Sequence, residues 1–141
     1  MIDTLHGIRA IAFDLDGTLV DSAPDIQRAL NAAMRREGLQ RYDLAQVRRW
    51  IGDGPDMLIA RALAAQGIGE ADTELRARLR RWFDAATLAA PMAGGSVCAG
   101  MAELLAELHG TLPMVAVTNK PTPLARAVLE AAGLLRYLEA V

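Results

Sequence analysis

The sequence feature that most constrains the fold is a pair of short apolar runs that each end abruptly in polar residues. The first occupies residues 9–14 and ends in Asp14-Leu-Asp-Gly-Thr; the second occupies residues 113–117 and ends in Thr118-Asn-Lys. Continuous apolar runs bounded by turn residues are typical of parallel strands covered on both faces. The pattern therefore predicts two strands of a parallel sheet in an α/β fold.

Helical periodicity dominates between these runs. Apolar residues at helical spacing predict four helices, at about 22–38, 43–50, 55–67 and 72–89, and two more at about 101–110 and 122–133. We expect Ser22 and Asp25 to form a capping pair for the first helix, and Asp53 to cap the third. Residues 91–95 form a linker whose adjacent glycines mark a hinge.

This order predicts two structural parts. Residues 1–19 and 93–141 form an incomplete, Rossmann-like α/β core, and residues 20–92 form a helical insert, or cap. Residues 137–141 are expected to begin a third strand.

Bulk composition excludes several functional classes. The chain of 141 residues has a net charge of −2 and a pI of about 5.6, which argues against nucleic-acid binding. It has no apolar run long enough to span a bilayer, and its N-terminus lacks the apolar segment of a signal peptide. A single cysteine, Cys98, excludes an internal disulfide and fits a reducing compartment. A cytoplasmic location is expected, without a membrane or nucleic-acid partner.

The polar strand ends carry the predicted chemistry, because ligands of open α/β sheets bind at the carboxyl ends of the strands. The candidate residues there are Asp14, Asp16, Gly17, Thr18, Thr118, Asn119 and Lys120. Asp14 and Asp16 are two residues apart on an extended chain, so they point to the same side. Two carboxylates and a hydroxyl, together with Mg²⁺, suit phosphoryl transfer.

Each candidate has an expected role. Asp14 attacks phosphorus, and Asp16 protonates the leaving alcohol and later activates water. Backbone N–H groups around Gly17 and Asn119, with the Thr118 hydroxyl, hold the phosphoryl oxygens. A calcium loop is excluded because Leu19 stands where such a loop requires glycine.

Residues 13–22, Phe-Asp-Leu-Asp-Gly-Thr-Leu-Val-Asp-Ser, resemble the first motif of the haloacid dehalogenase superfamily, and residues 117–121 resemble its second motif. The spacing is similar to that of members with a helical cap inserted after the first strand. The resemblance implies that Asp14 is the nucleophile and a magnesium ligand. It implies that Asp16 is the acid/base and gives the metal its backbone carbonyl.

Within the superfamily, Thr-Asn-Lys-Pro-Thr-Pro at 118–123 and Trp-Ile-Gly-Asp-Gly at 50–54 look most like phosphoglycolate phosphatases. The resemblance implies a small phosphorylated metabolite as substrate, with Gly52 and Asp53 of the cap facing the site. Related sugar-phosphate and N-acetylmuramic acid 6-phosphate phosphatases share these features. Lys120 is expected to lie on the surface near a helix start, and less readily to replace the lysine of the third motif.

The family pattern also contains a third-motif lysine and a fourth-motif acidic pair, and this sequence has neither. We therefore expect the chain to be part of a longer phosphatase. The alternatives left open are an inactive fragment or pseudoenzyme that acts as a binding module, and phosphomutase or dehalogenase chemistry at the same aspartate. A receiver domain is disfavoured by the helical insert, and the sequence leaves monomer and dimer open.

Overall fold

The computed structural model describes residues 6–69 and 72–141. The elements are β1 (Ile11–Phe13), β2 (Val20–Asp21), α1 (Ala23–Arg36), α2 (Leu44–Trp50), α3 (Pro55–Ala64), α4 (Thr73–Ala89), β3 (Ser96–Val97), α5 (Met101–Leu108), β4 (Met114–Ala116) and α6 (Thr122–Ala131), followed by a 3₁₀ turn at Leu135–Tyr137. Both predicted strands and all six predicted helices are present, with ends shifted by a few residues. No helix of the described ranges combines the length and apolarity needed to cross a membrane.

The sheet is parallel, as predicted. β1 pairs with β4 in a register that places Ile11 beside Met114 and Phe13 beside Ala116. On the other side of β4, Val115 forms a parallel bridge with Ala140. A third strand therefore begins beside β4 near residue 139, after the 3₁₀ turn rather than at residue 137 as expected.

A short antiparallel ribbon, which the sequence pattern did not indicate, links the helical insert to the sheet. β2 pairs with β3, with Val20 opposite Val97 and Asp21 opposite Ser96. The chain thus enters and leaves the insert through two paired strands, so both connections between the sheet and the insert lie next to each other.

Two hydrophobic clusters form the interior. One is built from α1 to α4 and includes Leu30, Leu63, Leu79 and Phe83, together with Leu124 of α6. The other surrounds the sheet and includes Phe13, Leu15, Leu105, Met114 and Leu129. These clusters support a division into core and cap, although its boundaries at 19/20 and 92/93 stay a prediction.

Two of the expected helix caps are wrong. Ser22 occupies the N-cap position of α1, but its side chain makes no capping hydrogen bond, and Pro24 lies in the first turn of the helix. The N-cap of α3 is Gly54, not Asp53. The side chains of both Ser22 and Asp25 bond to other segments, because tertiary partners compete successfully with the local backbone.

Candidate active site

The register of the sheet brings the two polar strand ends to one edge. The N–H of Val117 donates to the carbonyl of Phe13 at 2.8 Å, so Asp14 and Thr118 both follow the last paired residues of their strands. Asp14 is exposed, and its Oδ1 accepts a hydrogen bond from the N–H of Leu15 at 2.8 Å. The nucleophile expected from the sequence is therefore accessible at the carboxyl edge of the sheet.

A tight turn follows Asp14. The carbonyl of Leu15 accepts from the N–H groups of Thr18, Leu19 and Val20 at 3.0–3.2 Å, and the N–H of Gly17 donates to the carbonyl of Val20 at 2.8 Å. Gly17 has φ +81°, which side chains rarely tolerate, and no protein atom would crowd its Cβ. The N–H groups of Gly17 and Thr18 are bonded inside the turn, so the contact of phosphate with N–H groups around Gly17 stays a prediction and does not involve these two.

Asp16 is held from two sides through one oxygen. Its Oδ1 accepts a hydrogen bond from the Ser22 hydroxyl and lies 3.1 Å from the Nζ of Lys120. The side chains of Asp16 and Lys120 are 14% and 6% exposed. The expectation of a surface Lys120 is wrong, because the lysine runs inward from the loop after β4 and ion-pairs with the acid/base candidate.

The loop between α2 and α3, residues 51–54, lies over the loop that follows β4. The side-chain amide of Asn119 donates to the carbonyl of Gly52 at 2.8 Å. A Cβ on Gly54 would come within 2.9 Å of the carbonyl oxygen of Asn119, and Gly54 has φ +84°. Two glycines thus let the cap approach the strand ends closely. Asp53 differs from the expectation, because it ion-pairs with Arg61 of α3.

The space between cap and core forms a small pocket with a cavity volume of about 30 Å³. Its lining is mainly apolar, with Asp16 and Lys120 as the charged members: Asp16, Ile26, Ile51, Gly52, Gly54, Pro55, Leu58, Phe83, Lys120 and Leu124. Gly52 is brought to the site as expected, whereas Asp53 is not part of the lining. The apolar walls of the pocket come from helix faces. From sequence periodicity, these faces were expected to pack in the core and not to line a pocket.

A second contact joins α2 to the antiparallel ribbon beside the turn. Arg48 of α2 donates two parallel hydrogen bonds to Asp21 of β2, each at 3.0 Å. This hydrogen bond from Arg48 holds the pKa of Asp21 below its usual value of 3.8, and the same bond raises the pKa of Arg48. The pair is solvent-accessible on both sides, so it orients the cap more than it stabilises the fold.

Asp25 connects the segment that enters the insert to the segment that leaves it. Although only 5% exposed, its carboxylate accepts from the N–H of Gly94 at 2.9 Å and from the N–H of Gly95 at 2.7 Å. A Cβ on Gly95 would lie 2.6 Å from the Asp25 carboxylate. The paired glycines, expected to be a hinge, are thus also required for this close contact.

The donors present fit part of a magnesium site. Mg²⁺ commonly takes one or two carboxylates and fills its other positions with water and substrate phosphate. Asp14 offers an exposed carboxylate, and the Asp16 carbonyl lies in the turn directly after it. No group of three or more metal-binding side chains occurs within residues 6–69 and 72–141. These residues would therefore hold the ion on one side only.

Some residues of the site were missed from the sequence. Ser22 was assigned to a helix cap, and Arg48 to a solvated helix face. The position of Ser22 within the first motif is a signal that could have identified it, since the residue lies six positions after Asp16 and at the end of a tight turn. Nothing in the local pattern distinguishes Arg48 from its neighbour Arg49.

Comparison with known proteins gives a consistent result. A family model described as haloacid dehalogenase-like hydrolase matches residues 8–141. A phosphoglycolate phosphatase of Photobacterium profundum is 42% identical over 136 residues, which cover 94% of this chain and 59% of that protein. One from Rhodospirillum rubrum is 44% identical over 131 residues, covering 89% and 54%.

Solved structures agree with this assignment. The crystal structure of a predicted phosphoglycolate phosphatase from Haemophilus somnus superimposes with a TM-score of 0.83 at 27% identity, covering 94% of this chain and 61% of that one. The chain spans between half and two thirds of the length of these relatives. The motif at Asp14, the parallel sheet and the family match together show that the chain belongs to the haloacid dehalogenase-like hydrolases.

Proposed function

We propose that this chain carries the nucleophile half of a magnesium-dependent phosphatase, which hydrolyses a small phosphomonoester through an aspartyl-phosphate on Asp14. The observation that carries the proposal is the meeting of Asp14, Asp16 and Thr118 at one sheet edge beneath the cap loop. Family membership supports the reaction class, and 2-phosphoglycolate is the substrate best supported by the names of the relatives.

The first half-reaction transfers the phosphoryl group to Asp14. A carboxylate oxygen of Asp14 forms a bond to phosphorus while the bond from phosphorus to the ester oxygen breaks. Asp16 gives its proton to the departing alkoxide, so the product leaves as an alcohol. In the second half, Asp16 takes a proton from water, which attacks phosphorus and releases phosphate and free Asp14.

The environments of the two aspartates match these different roles. Asp14 is exposed and meets no ion-pair partner among the described residues, so it can approach a phosphoryl group. Asp16 is oriented by Ser22 and Lys120 through Oδ1, which leaves Oδ2 to face the ester oxygen. Mg²⁺, held by Asp14 and the Asp16 carbonyl, would offset the repulsion between carboxylate and phosphate dianion.

The loops around the site supply the remaining functions. The Thr118 hydroxyl accepts from the N–H of Lys120 at 3.1 Å, so its own proton is directed elsewhere, toward where a phosphoryl oxygen would lie. The contact between Asn119 and Gly52 holds the cap loop over this edge of the sheet.

The test is a phosphate-release assay with a magnesium titration, on the native protein that contains these residues and on the 141-residue chain. Asp14→Asn is expected to reduce kcat by at least ~10³ without a change in the circular dichroism spectrum. Asp43→Asn serves as the matched control, because asparagine also caps a helix and Asp43 only caps α2. Turnover that persists in Asp14→Asn would exclude Asp14 as the nucleophile.

A further inference from the structure

The pocket beneath the cap loop contains one cation among its lining residues, Lys120. Apolar side chains from α1, α3, α4 and α6 form most of the surrounding wall. The ammonium group is 6% exposed, and within the described ranges its one ion-pair partner is Asp16. An ammonium carries three N–H donors, so a single carboxylate oxygen leaves donor capacity in the pocket.

Burial of the Lys120 ammonium is unfavourable unless other interactions compensate for the loss of hydration. Removing an ammonium from water costs several kcal/mol after relaxation, and a pair with one carboxylate offsets that only partly. The backbone at Lys120 is nevertheless held in place, because its N–H bonds the Thr118 hydroxyl and α6 begins two residues later, and the side chain ends at Asp16. The loop therefore holds a positive charge at the leaving-group side of the predicted phosphate position.

Reach limits which substrate group this charge can meet. To protonate the ester oxygen, Asp16 must lie about 2.6–3.2 Å from it. The Nζ of Lys120 is 3.1 Å from Oδ1 of Asp16, and Oδ2 of the same carboxylate would face the ester oxygen, so Nζ lies within two hydrogen-bond lengths plus the width of one carboxylate of that oxygen. A carboxylate one carbon away from the ester oxygen falls within that reach.

The cost of burying a charged substrate group also points to Lys120. A carboxylate that enters an apolar pocket loses its hydration and binds only where a cation or several donors replace it. Ile51, Leu58 and Phe83 offer neither, which leaves Lys120 to perform this role.

From these observations we infer that Lys120 is the specificity-determining residue of the site: its ammonium pairs with a carboxylate attached one carbon from the phosphate ester. The inference rests on the proposed phosphatase function and narrows the substrate class to short phosphorylated hydroxy acids. The competing interpretation is that Lys120 only orients Asp16, in which case every phosphomonoester depends on it equally.

The experiment compares 2-phosphoglycolate with 2-hydroxyethyl phosphate, which has the same skeleton but a neutral CH₂OH in place of the carboxylate. The wild-type protein is expected to favour 2-phosphoglycolate in kcat/KM. Lys120→Met is expected to reduce the ratio of the two kcat/KM values by about 10²-fold, since one ionic partner of the substrate is lost. Lys120→Arg, which keeps the charge, retains a substantial part of the ratio.

A binding measurement separates recognition from turnover. Calorimetric titration with 3-phosphonopropionate and with propylphosphonate, in which a CH₂ group replaces the ester oxygen and prevents hydrolysis, is expected to show that Lys120→Met weakens only the binding of 3-phosphonopropionate. An equal loss for both members of either pair, or a wild-type protein without preference for the carboxylate, overturns the inference. Absence of Asp14-dependent phosphate release from both esters refutes instead the proposed function.

Discussion

Asparagine in place of Asp25 is expected to destabilise the protein far more than its conservative shape suggests. The carboxylate of Asp25 is buried at the first turn of α1, and each of its oxygens accepts from a backbone N–H, of Gly94 and of Gly95. The substitution keeps the volume and one acceptor but turns the other oxygen into an NH₂ group. One of the two glycine N–H groups then faces a donor.

The magnitude follows from these two bonds. Hydrogen bonds to a charged group contribute about 1.5–3 kcal/mol each, and a buried N–H left without an acceptor costs about 1–3 kcal/mol. Losing one bond and weakening the other therefore predicts a decrease of about 2–4 kcal/mol in the free energy of unfolding. Arg28, whose Nη2 lies 3.7 Å from Oδ1 of Asp25, loses its ionic partner as well. For a domain with ~5–15 kcal/mol of total stability this is a large fraction.

Urea unfolding followed by circular dichroism measures the effect, with linear extrapolation to water and a comparison of slopes. Hydrogen exchange locates it, because the N–H groups of Gly94 and Gly95 are expected to lose protection before the rest of the sheet does. The matched control is Asp43→Asn at an exposed helix cap, where about zero change is expected since asparagine caps equally well. A change within ~0.5 kcal/mol for Asp25→Asn, with both amides still protected, would show that the hydrogen bonds from Gly94 and Gly95 to Asp25 do not stabilise the fold as argued.

Two further predictions concern contacts made by the cap. Gly54→Ala places a Cβ 2.9 Å from the carbonyl oxygen of Asn119 at φ +84°, whereas Gly67→Ala has a similar φ of +74° and open space. Backbone strain is expected to reduce the free energy of unfolding of both variants by about 1–2 kcal/mol in urea unfolding. Gly54→Ala should lose more than Gly67→Ala and should also raise KM. Equal losses would contradict the close approach of Gly54 to Asn119. The carboxyl pKa of Asp21, measured by carbon NMR, should lie below 3.8 and return toward it in Arg48→Met. Because the pKa is lowered in the folded state, this pair stabilises the fold at neutral pH and stops doing so as the pH falls through the lowered value; an unchanged pKa in the variant would exclude Arg48 as the cause.

The sequence by itself determined the two strands of the parallel sheet and the six helices, and it predicts Asp14 as the nucleophile. An apolar run that stops at Asp14 has few ways to fold other than as a buried parallel strand, and the helices follow from periodicity that any amphipathic segment must obey. Asp14 and Asp16 are neighbours along the chain, so their shared direction is a local property of the backbone. The first motif needed no tertiary information.

Tertiary structure alone decided the partners of the remaining charged and polar side chains. Ser22 and Asp25 have the spacing of a helix cap, yet the hydroxyl of Ser22 bonds Asp16 and the carboxylate of Asp25 bonds residues about 70 positions away. Lys120 has the local pattern of an exposed lysine and is buried because Asp16 and the cap loop surround it. The local sequence determines which hydrogen bonds a side chain is able to make. The packing of distant segments determines which protein group becomes its partner in place of water.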